Sequence, residues 1–260
     1  MQPLSGGRSW LHLLKLKNQK HADHTPVSIG YGAAAEQEWN KDILATPLKT
    51  ATWRFWLYPD PAVVLGASQK QFFKYDQGRL PIPITLRSSG GGAVLVGPWM
   101  IGISVALPQS CEIYAASLMK SYEWLGKLLA SQLRLFDVPC EALQPNDITN
   151  CPTFAQWACF AGSSPWEVFH EGKKLLGLAQ QRRANGILLV AGLLVSETPW
   201  LILCDALERP KADVEVLRQS TTCVETLLLC YDKEWIQMWI GAVDQKLHKI
   251  FDPLTPRSFQ

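Results

Sequence analysis

The chain has 260 residues, of which 47% are hydrophobic and 18% charged, so it can bury a sizeable core. Its formal net charge is only +2 and it carries no Lys/Arg-rich run, which argues against a nucleic-acid partner. The longest apolar run, Ile187 to Val195, is too short to span a membrane, so no membrane association is expected. The composition predicts one domain over 1–260, with a core at about 25–200 and a helical C-terminal part at about 210–252.

The cysteines indicate a reducing compartment. There are seven of them, an odd number without any C-x-x-C pair, which argues against a disulfide framework and against a zinc knuckle. No metal site is therefore expected, and the cytoplasm is the simplest location. The apolar residues near the N-terminus are interrupted by His12, Lys15 and Lys17, so we expect no signal peptide.

Hydrophobic periodicity predicts alternating strands and helices in the first half of the chain. The predicted elements are a strand over Trp10–Leu16, a loop over Lys17–Thr25, a helix over Gly32–Leu44, and strands over Thr52–Tyr58, Ala62–Leu65, Ile82–Arg87, Ala93–Val96 and Ile101–Leu107.

The second half continues the alternation, and the whole predicts a mixed α/β (α+β) fold. The predicted elements are a helix over Tyr114–Leu135, a polar segment over Pro139–Pro152, a hairpin of Trp166–His170 and Lys173–Gln181 turning at Glu171-Gly172, a strand over Ile187–Val195, elements of unassigned type at Leu201–Leu207 and Val214–Leu217, and an amphipathic helix over Val224–Ile250 in two pieces broken near Gly241.

Three consecutive glycines at 90–92 lie between two predicted strands. Glycine has no Cβ and tolerates positive φ, so the loop from Ser88 to Gly92 can turn sharply and expose its backbone N–H groups to a ligand. Arg87 would place a positive charge at the entrance of this loop. A β-bulge or a flexible hairpin tip is the simpler interpretation of a glycine triplet taken alone.

A cysteine and two lysines form the second group of candidate residues. Cys159 precedes the predicted hairpin, whose second strand begins with Lys173 and Lys174. Adjacent side chains of a strand point to opposite faces, so only one of these lysines can reach a site beside Cys159. From the residues alone, a buried core thiol between Trp157 and Phe160 is the default interpretation of Cys159. Arg182 and Arg183 are interpreted as exposed charges.

The order of these motifs resembles the lipoate-protein ligase and octanoyltransferase family, which is related to the biotin protein ligases. The matching signatures are Arg-Ser-Ser-Gly-Gly-Gly-Ala-Val at 87–94 and Gly-Lys-Lys-Leu-Leu-Gly-Leu-Ala-Gln at 172–180. Asn146-Asp147, Ala158-Cys159-Phe160 and Ala33-Ala-Ala-Glu-Gln37 are similar to further elements of the family. The resemblance extends over roughly residues 25 to 200 and is closest to the cysteine-dependent octanoyltransferases.

The resemblance implies a largely antiparallel sheet flanked by helices, and a transfer reaction without a cofactor. Cys159 would be the nucleophile, and Lys174 would be the electrostatic partner that favours the thiolate and stabilises an oxyanion. It also implies an acyl carrier protein as donor, a lipoyl domain or glycine-cleavage H-type protein as acceptor, and a monomer. The implied substrate-binding residues are Arg87, Ser89, Gly90, Gly91, Gly92, Ala93, Asn146, Asp147, Gly177, Ala179 and Gln180.

Two alternatives stay open at this level. An ATP-dependent lipoate-protein ligase would form an acyl-adenylate with ATP and Mg²⁺, using Lys174 and the glycine loop without Cys159. A non-catalytic relative would bind an acyl chain or a carrier domain. The second alternative rests on two departures from the family, because the stretches 94–99 and 189–192 lack the histidines that many members carry there.

Overall fold

The computed structural model describes residues 26–73, 82–148, 155–228 and 231–251. The predicted strand at Trp10–Leu16 and the loop at Lys17–Thr25 lie outside the described residues, and the single domain over 1–260 stays a prediction. None of the helices in the described ranges is both long and apolar enough to cross a membrane.

The described residues form ten strands, most of them where apolar residues run continuously or alternate. They are β1 (Ile29–Tyr31), β2 (Thr52–Leu57), β3 (Ala62–Leu65), β4 (Ile84–Leu86), β5 (Val94–Val96), β6 (Met100–Leu107), β7 (Glu141–Ala142), β8 (Val168–His170), β9 (Lys173–Arg183) and β10 (Gly186–Leu194).

Eight helices accompany these strands in the same described part of the chain. They are α1 (Ala33–Asp42), α2 (Lys70–Phe73), α3 (Glu112–Ala115), α4 (Leu118–Leu135), α5 (Trp200–Ala206), α6 (Ala212–Ser220), α7 (Val224–Leu227) and α8 (Lys233–Phe251). Short 3-10 turns lie at Ala67–Gln69 and Pro145–Asp147. The elements of unassigned type at Leu201–Leu207 and Val214–Leu217 are thus both helical.

The strands pair into two sheets. The larger has seven strands in the order β1-β2-β6-β10-β9-β8-β7, and the smaller has three in the order β4-β3-β5. Among these ten strands, the pairs β1–β2 and β3–β4 are parallel and the other pairs are antiparallel. This architecture confirms the prediction of a mixed fold with a largely antiparallel sheet flanked by helices.

Two hydrophobic clusters cover the two faces of the large sheet. Ile101, Ile103 and Val105 alternate along β6 and pack in the first cluster with α4 and α8. The second cluster joins the opposite face to the small sheet and to α5. The small sheet is therefore held above the large one, and the glycine loop, which connects β4 to β5, is held with it.

The predicted hairpin at Glu171-Gly172 is confirmed. Both turn residues have positive φ, 46° and 77°, as a tight two-residue turn requires. The turn joins β8 to β9, and a register shift at Val168/Phe169 interrupts their pairing. Lys173 is exposed and Lys174 is buried, so the alternation of the strand sends one lysine to each side.

The single helix predicted over Tyr114–Leu135 is wrong at its start. A short α3 ends at Ala115, Ala116 is extended, and Ser117 begins α4 by accepting a hydrogen bond from the Lys120 amide at 3.3 Å. The interruption is stabilised by Arg182, whose guanidinium donates to the carbonyls of Tyr114, Ala116 and Ser117. The expectation that Arg182 is a free surface charge is therefore wrong, whereas Arg183 is exposed.

The break predicted near Gly241 is also wrong. Helix α8 continues through Gly241, and the interruption lies upstream, between the end of α7 at Leu227 and the start of α8 at Lys233. Trp239, Ile240 and Val243 are buried on both sides of the glycine, so tertiary packing holds the helix where intrinsic propensity is weakest.

The two helical glycines, Gly126 in α4 and Gly241 in α8, provide a matched test of the fold. A Cβ at Gly126 would overlap the Trp166 carbonyl oxygen, whereas a Cβ at Gly241 would meet no atom within 4 Å. We expect Gly126→Ala to lower the free energy of unfolding by about 1–3 kcal/mol through overpacking. Gly241→Ala should raise it by about 0.5–1 kcal/mol, because alanine favours the helix. Urea denaturation measures both, and equal effects would contradict this packing of α4.

Candidate functional site

The glycine loop is closed by its own arginine. The Arg87 guanidinium donates from Nε and Nη2 to the Gly90 carbonyl at 3.2 and 3.0 Å, and from Nη2 to the Gly92 carbonyl at 2.8 Å. Gly91 has a φ of 98°, a conformation that favours glycine. The Ser89 carbonyl accepts a hydrogen bond from the Ala67 amide at 3.0 Å. Arg87 therefore shapes the loop as well as adding charge beside it.

The glycine loop contacts the cysteine segment directly through the backbone. The Ala93 amide donates to the Trp157 carbonyl at 2.7 Å, and the Cys159 amide donates to the Ala93 carbonyl at 2.9 Å. A Cβ at Gly92 would lie 2.6 Å from the Trp157 carbonyl oxygen and 2.7 Å from the Cys159 nitrogen. The third glycine of the triplet is thus required for the close approach of the two motifs.

Trp157 anchors the cysteine segment from the other side. Its carbonyl accepts a second hydrogen bond from Gln69 Nε2 at 2.8 Å, and its indole Nε1 donates to Asp213 Oδ2 at 2.8 Å. The Arg209 guanidinium lies 5.0 Å from the centre of the Trp157 ring, within the range of a cation–π contact. These contacts hold the backbone two residues before Cys159 in a defined position.

Lys174 is buried beside Cys159, with 1% of its surface exposed. Its Nζ donates to the Cys159 carbonyl at 2.8 Å and to the Gly162 carbonyl at 3.0 Å, and lies 2.7 Å from Glu167 Oε1. An ammonium has three protons, and three oxygen acceptors surround this one. In this arrangement Lys174 organises the turn after Cys159, so contact with a reacting oxygen would require it to exchange one of these acceptors.

Glu167 is the most important residue of this site that sequence reasoning missed. Its side chain is 2% exposed, and it accepts hydrogen bonds from the Ser164 amide at 2.8 Å and the Leu178 amide at 3.2 Å besides pairing with Lys174. Burial raises the pKa of the Glu167 carboxyl, and the charge of Lys174 opposes that shift. The only sequence signal was an acidic residue inside the predicted strand Trp166–His170, where a buried charge needs a partner.

Tyr122, on α4, lies at the same site and was also not singled out from the sequence. Burial raises the pKa of its hydroxyl to about 12, with further contributions from Glu167 and Cys159. The phenol is therefore neutral at physiological pH and keeps its proton.

Cys159 lies where two cavities meet. A narrow apolar pocket with a free volume of about 60 Å³ lies between the two sheets, and a more polar and more open mouth of about 600 Å³ lies on the other side. Both are lined by Cys159, Arg87, Leu178 and Ala179. The thiol residue is half-buried, so it borders the interior and the solvent-facing mouth at once.

Gly177 and Gly192, on adjacent strands, line one side of the apolar pocket. Gly177 of β9 pairs with Gly192 of β10, which pairs with Gly102 of β6, so the three glycines form a row across the sheet. A Cβ at Gly192 would lie 3.2 Å from the Met100 sulfur, and one at Gly102 would overlap the Tyr58 hydroxyl. The pocket therefore follows this row across the strands. Met100 lies over Gly192, and Tyr58 lies over Gly102, at the end of the row away from Gly177.

The two stretches that depart from the family's histidines belong to this pocket. Val94 and Val96 lie in the first stretch, Val190, Ala191 and Gly192 lie in the second, and all five line the cavity. The sequence change therefore makes the pocket wall apolar at these positions.

Most of the predicted site residues line the apolar pocket, the mouth or both. Arg87, Ser89, Ala179 and Gly177 line the apolar pocket, and the mouth is lined by Lys174, Gly90, Gly91, Gly92, Ala179 and Gln180. Ala93 contributes backbone hydrogen bonds to the cysteine segment, as described above. Gln180 is also held by α4, because its Nε2 donates to the Leu118 carbonyl at 3.0 Å.

Asn146 and Asp147 are not brought to the two cavities. Both are exposed in the 3-10 turn Pro145–Asp147, and the Asp147 amide donates to the Gln144 carbonyl at 3.0 Å. The neighbouring Ile148 lies at the rim of the mouth. Among the described residues, no group of three His, Cys, Asp or Glu side chains could hold a metal ion.

The fold and this site agree with a known family. The family model of the lipoyl protein ligase A/B catalytic domain matches residues 30–224. The chain belongs to this family.

Individual relatives agree with this assignment. The octanoyltransferase LipM of an Exiguobacterium strain is 28% identical over 190 residues, which are 70% of this chain and 64% of the relative. The chain thus spans less than two thirds of that relative's length.

Solved structures share the fold at low identity. A lipoate-protein ligase A bound with ATP has a TM-score of 0.61 and 17% identity, covering 89% of this chain and 88% of the other. A bi-partite lipoate protein ligase studied with its E2 lipoyl domain, from Thermoplasma acidophilum, has a TM-score of 0.59 and 15% identity, covering 90% and 89%.

Removing the Lys174–Glu167 pair should show strong energetic coupling. Glu167→Leu and Lys174→Met each leave a buried charge without its partner, and each should cost about 3–5 kcal/mol of unfolding free energy. The double variant should cost clearly less than the sum of the two, because no buried charge remains. Urea denaturation of the four proteins gives the coupling energy, and strict additivity would show that the pair does not form.

The buried carboxyl of Glu36 predicts a pH dependence of stability. Burial raises its pKa from 4.5 to about 7, while Tyr58 and Arg87 oppose the shift. A carboxyl whose pKa is higher in the folded than in the unfolded protein stabilises the fold at low pH. The contribution of Glu36 to the free energy of unfolding is therefore lost as the pH rises from about 4.5 through about 7.

Relative to Glu36→Gln, the wild type should therefore lose on the order of 3 kcal/mol of unfolding free energy between pH 5 and pH 8. Urea titrations at both pH values measure this difference. Glu38→Gln, at an exposed position of the same helix, is the control and should follow the wild type. A Glu36→Gln protein with the wild-type pH profile would contradict the burial of this carboxyl.

Proposed function

We propose that this protein is an acyltransferase of lipoate metabolism, which moves an octanoyl or lipoyl group onto a lysine of a lipoyl-type carrier domain through a thioester on Cys159. The observation that carries the proposal is the position of Cys159 at the junction of an apolar pocket and a polar mouth. The pocket suits an alkyl chain, and the mouth suits the polar donor and acceptor.

The first step forms the thioester. The Cys159 thiolate attacks the carbonyl carbon of the donor thioester, and the bond from that carbon to the donor sulfur breaks to release the donor thiolate. The two thioesters are close in energy, so this step needs no nucleotide. An acyl carrier protein is the proposed donor.

The second step makes the stable product. The uncharged amine of the acceptor lysine attacks the Cys159 thioester, the carbon–sulfur bond breaks, and the amine proton passes to solvent or to the departing thiolate. An amide is more stable than a thioester, so this step is downhill. A lipoyl domain or a glycine-cleavage H-type protein is the proposed acceptor. The Thermoplasma ligase of similar fold was studied with an E2 lipoyl domain, which supports a carrier of this type.

The proposed roles of the other residues follow from their contacts. Lys174 holds the turn after Cys159 and places positive charge beside the reacting carbonyl, with Glu167 fixing its position. Tyr122 keeps its proton and can donate a hydrogen bond into the mouth. The glycine loop offers backbone amides on the opposite wall. The reaction proposed here uses no cofactor, and the enzyme acts as a cytoplasmic monomer.

An ATP-dependent lipoate-protein ligase is the second candidate, because a ligase of this fold binds ATP. The glycine loop and Lys174 would then hold the phosphates and the acyl carboxylate, and ATP with Mg²⁺ would supply the activation. Among the described residues that line the mouth, Glu167 is the one carboxylate, and it is paired with Lys174. This donor set fits Mg²⁺ poorly, since the ion prefers carboxylate and phosphate oxygens.

A non-catalytic relative that binds an acyl chain is the third candidate. The apolar residues in place of the family's histidines favour it. Such a protein would hold the chain in the pocket without forming a bond to Cys159.

The deciding experiment is intact-mass spectrometry of the protein after incubation with octanoyl-acyl carrier protein in the absence of ATP. We expect the wild type to gain one octanoyl group and Cys159→Ala to gain none. Cys140→Ala is the matched control and should still be acylated, because burial raises the pKa of Cys140 to about 11 and suppresses its thiolate.

Other outcomes assign the alternatives. If lipoylation required ATP and Mg²⁺ and persisted in Cys159→Ala, the thioester mechanism would be excluded and the ligase activity established. Chain binding without any product under either condition would establish the non-catalytic relative.

A further inference from the structure

The far end of the apolar pocket is polar. Glu36 and Asn40, from the buried face of α1, and Tyr58, which follows β2, line the pocket together; we call these three residues the polar floor. They are 4%, 6% and 3% exposed. A pocket for a plain alkyl chain needs no such group, since buried polar atoms cost free energy unless they are hydrogen-bonded.

One hydrogen-bond acceptor of the polar floor has no donor. The Tyr58 hydroxyl donates to Glu36 Oε2 at 2.8 Å, and the side chain of Asn40 also hydrogen-bonds the Glu36 carboxyl. The Asn40 amide oxygen is buried and has no hydrogen-bond partner. A donor from a ligand in the pocket can therefore form a hydrogen bond with this oxygen.

The strands contribute apolar residues between Cys159 and the polar floor. Val64, Val94 and Val190 and the backbone of Gly177 and Gly192 line the pocket there, while Gln37, Ser88, Ser89 and Gln181 line other parts of it. Met100 lies above Gly192, and its flexible thioether can move to admit a chain. A chain that enters the pocket from the thiol therefore passes the apolar strand residues before it reaches the polar floor.

We propose that the polar floor recognises an acyl chain whose far end carries a hydrogen-bond donor, a hydroxyl or a thiol, in preference to a chain that ends in methyl. This inference rests on the proposed function for the acyl head group and extends it to the other end of the chain. A methyl terminus would expel water and leave the Asn40 oxygen unpaired, whereas a donor at that end would pair with it.

The test compares two free acids that differ by one oxygen. Isothermal titration calorimetry measures the dissociation constants of 8-hydroxyoctanoate and octanoate for the wild type, for Asn40→Leu and for Glu38→Gln. We expect the hydroxy acid to bind the wild type at least about fivefold more tightly. Asn40→Leu should abolish or reverse this preference, and Glu38→Gln, at an exposed position of the same helix, should keep it.

The opposite results overturn the proposal. Equal or tighter binding of octanoate by the wild type would show that the polar floor does not recognise the far end of the acyl chain. If Asn40→Leu kept the preference for the hydroxy acid, a group other than Asn40 would be responsible for it. If 8-hydroxyoctanoate showed no saturable binding, the proposed binding site would not exist.

A second measurement separates this inference from the proposed function. Pantetheine thioesters of both acids are offered to the wild type, and acylation of Cys159 is followed by intact mass. A hydroxyl preference in calorimetry without any adduct would retain the polar floor and reject the transferase. Adducts that form equally fast from both thioesters, with no preference in calorimetry, would retain the transferase and reject the polar floor.

Discussion

A buried ammonium cannot be left without acceptors, and the candidate site is organised around this constraint. Lys174 is enclosed by one carboxylate oxygen and two backbone carbonyls, all contributed by residues 159–167. The turn after Cys159 must bring those oxygens together, because the alternative is an uncompensated charge in the interior. Glu167 extends the same arrangement by accepting two backbone amides, so the ion pair, the turn and the start of β9 form one connected unit.

The second constraint is the close approach of two backbones at Gly92. The small sheet carries the glycine loop, the large sheet carries Lys174, and the cysteine segment is hydrogen-bonded between them. Because the pocket lies between the same two sheets, the residues that fix Cys159 also fix the entrance of the pocket. Geometry at the thiol and the shape of the acyl cavity are therefore properties of a single packing arrangement.

Local rules predicted much of this arrangement from the sequence. Alternation along β9 required the two lysines to separate, the Glu171-Gly172 pair specified a tight turn, and the triplet glycines marked a close approach. The partner of Lys174 depended on long-range geometry, because a register shift in the hairpin and a turn of irregular backbone bring Glu167 to it. The break near Gly241 failed because packing overrides propensity, and Asn146-Asp147 stays at the surface although its sequence resembles a family element.

The anchoring of Trp157 by Asp213 has a consequence for the order of folding. The cysteine segment is joined to Ala93 on one side and to α6 on the other, so its contacts connect residues far apart in the chain. Such non-local contacts form late and slow the folding reaction, since the loops they close carry a large entropy cost. During synthesis the segment around Cys159 is made well before Asp213. A nascent chain therefore acquires a fixed thiol only after α6 has left the ribosome, and shorter chains lack this anchor.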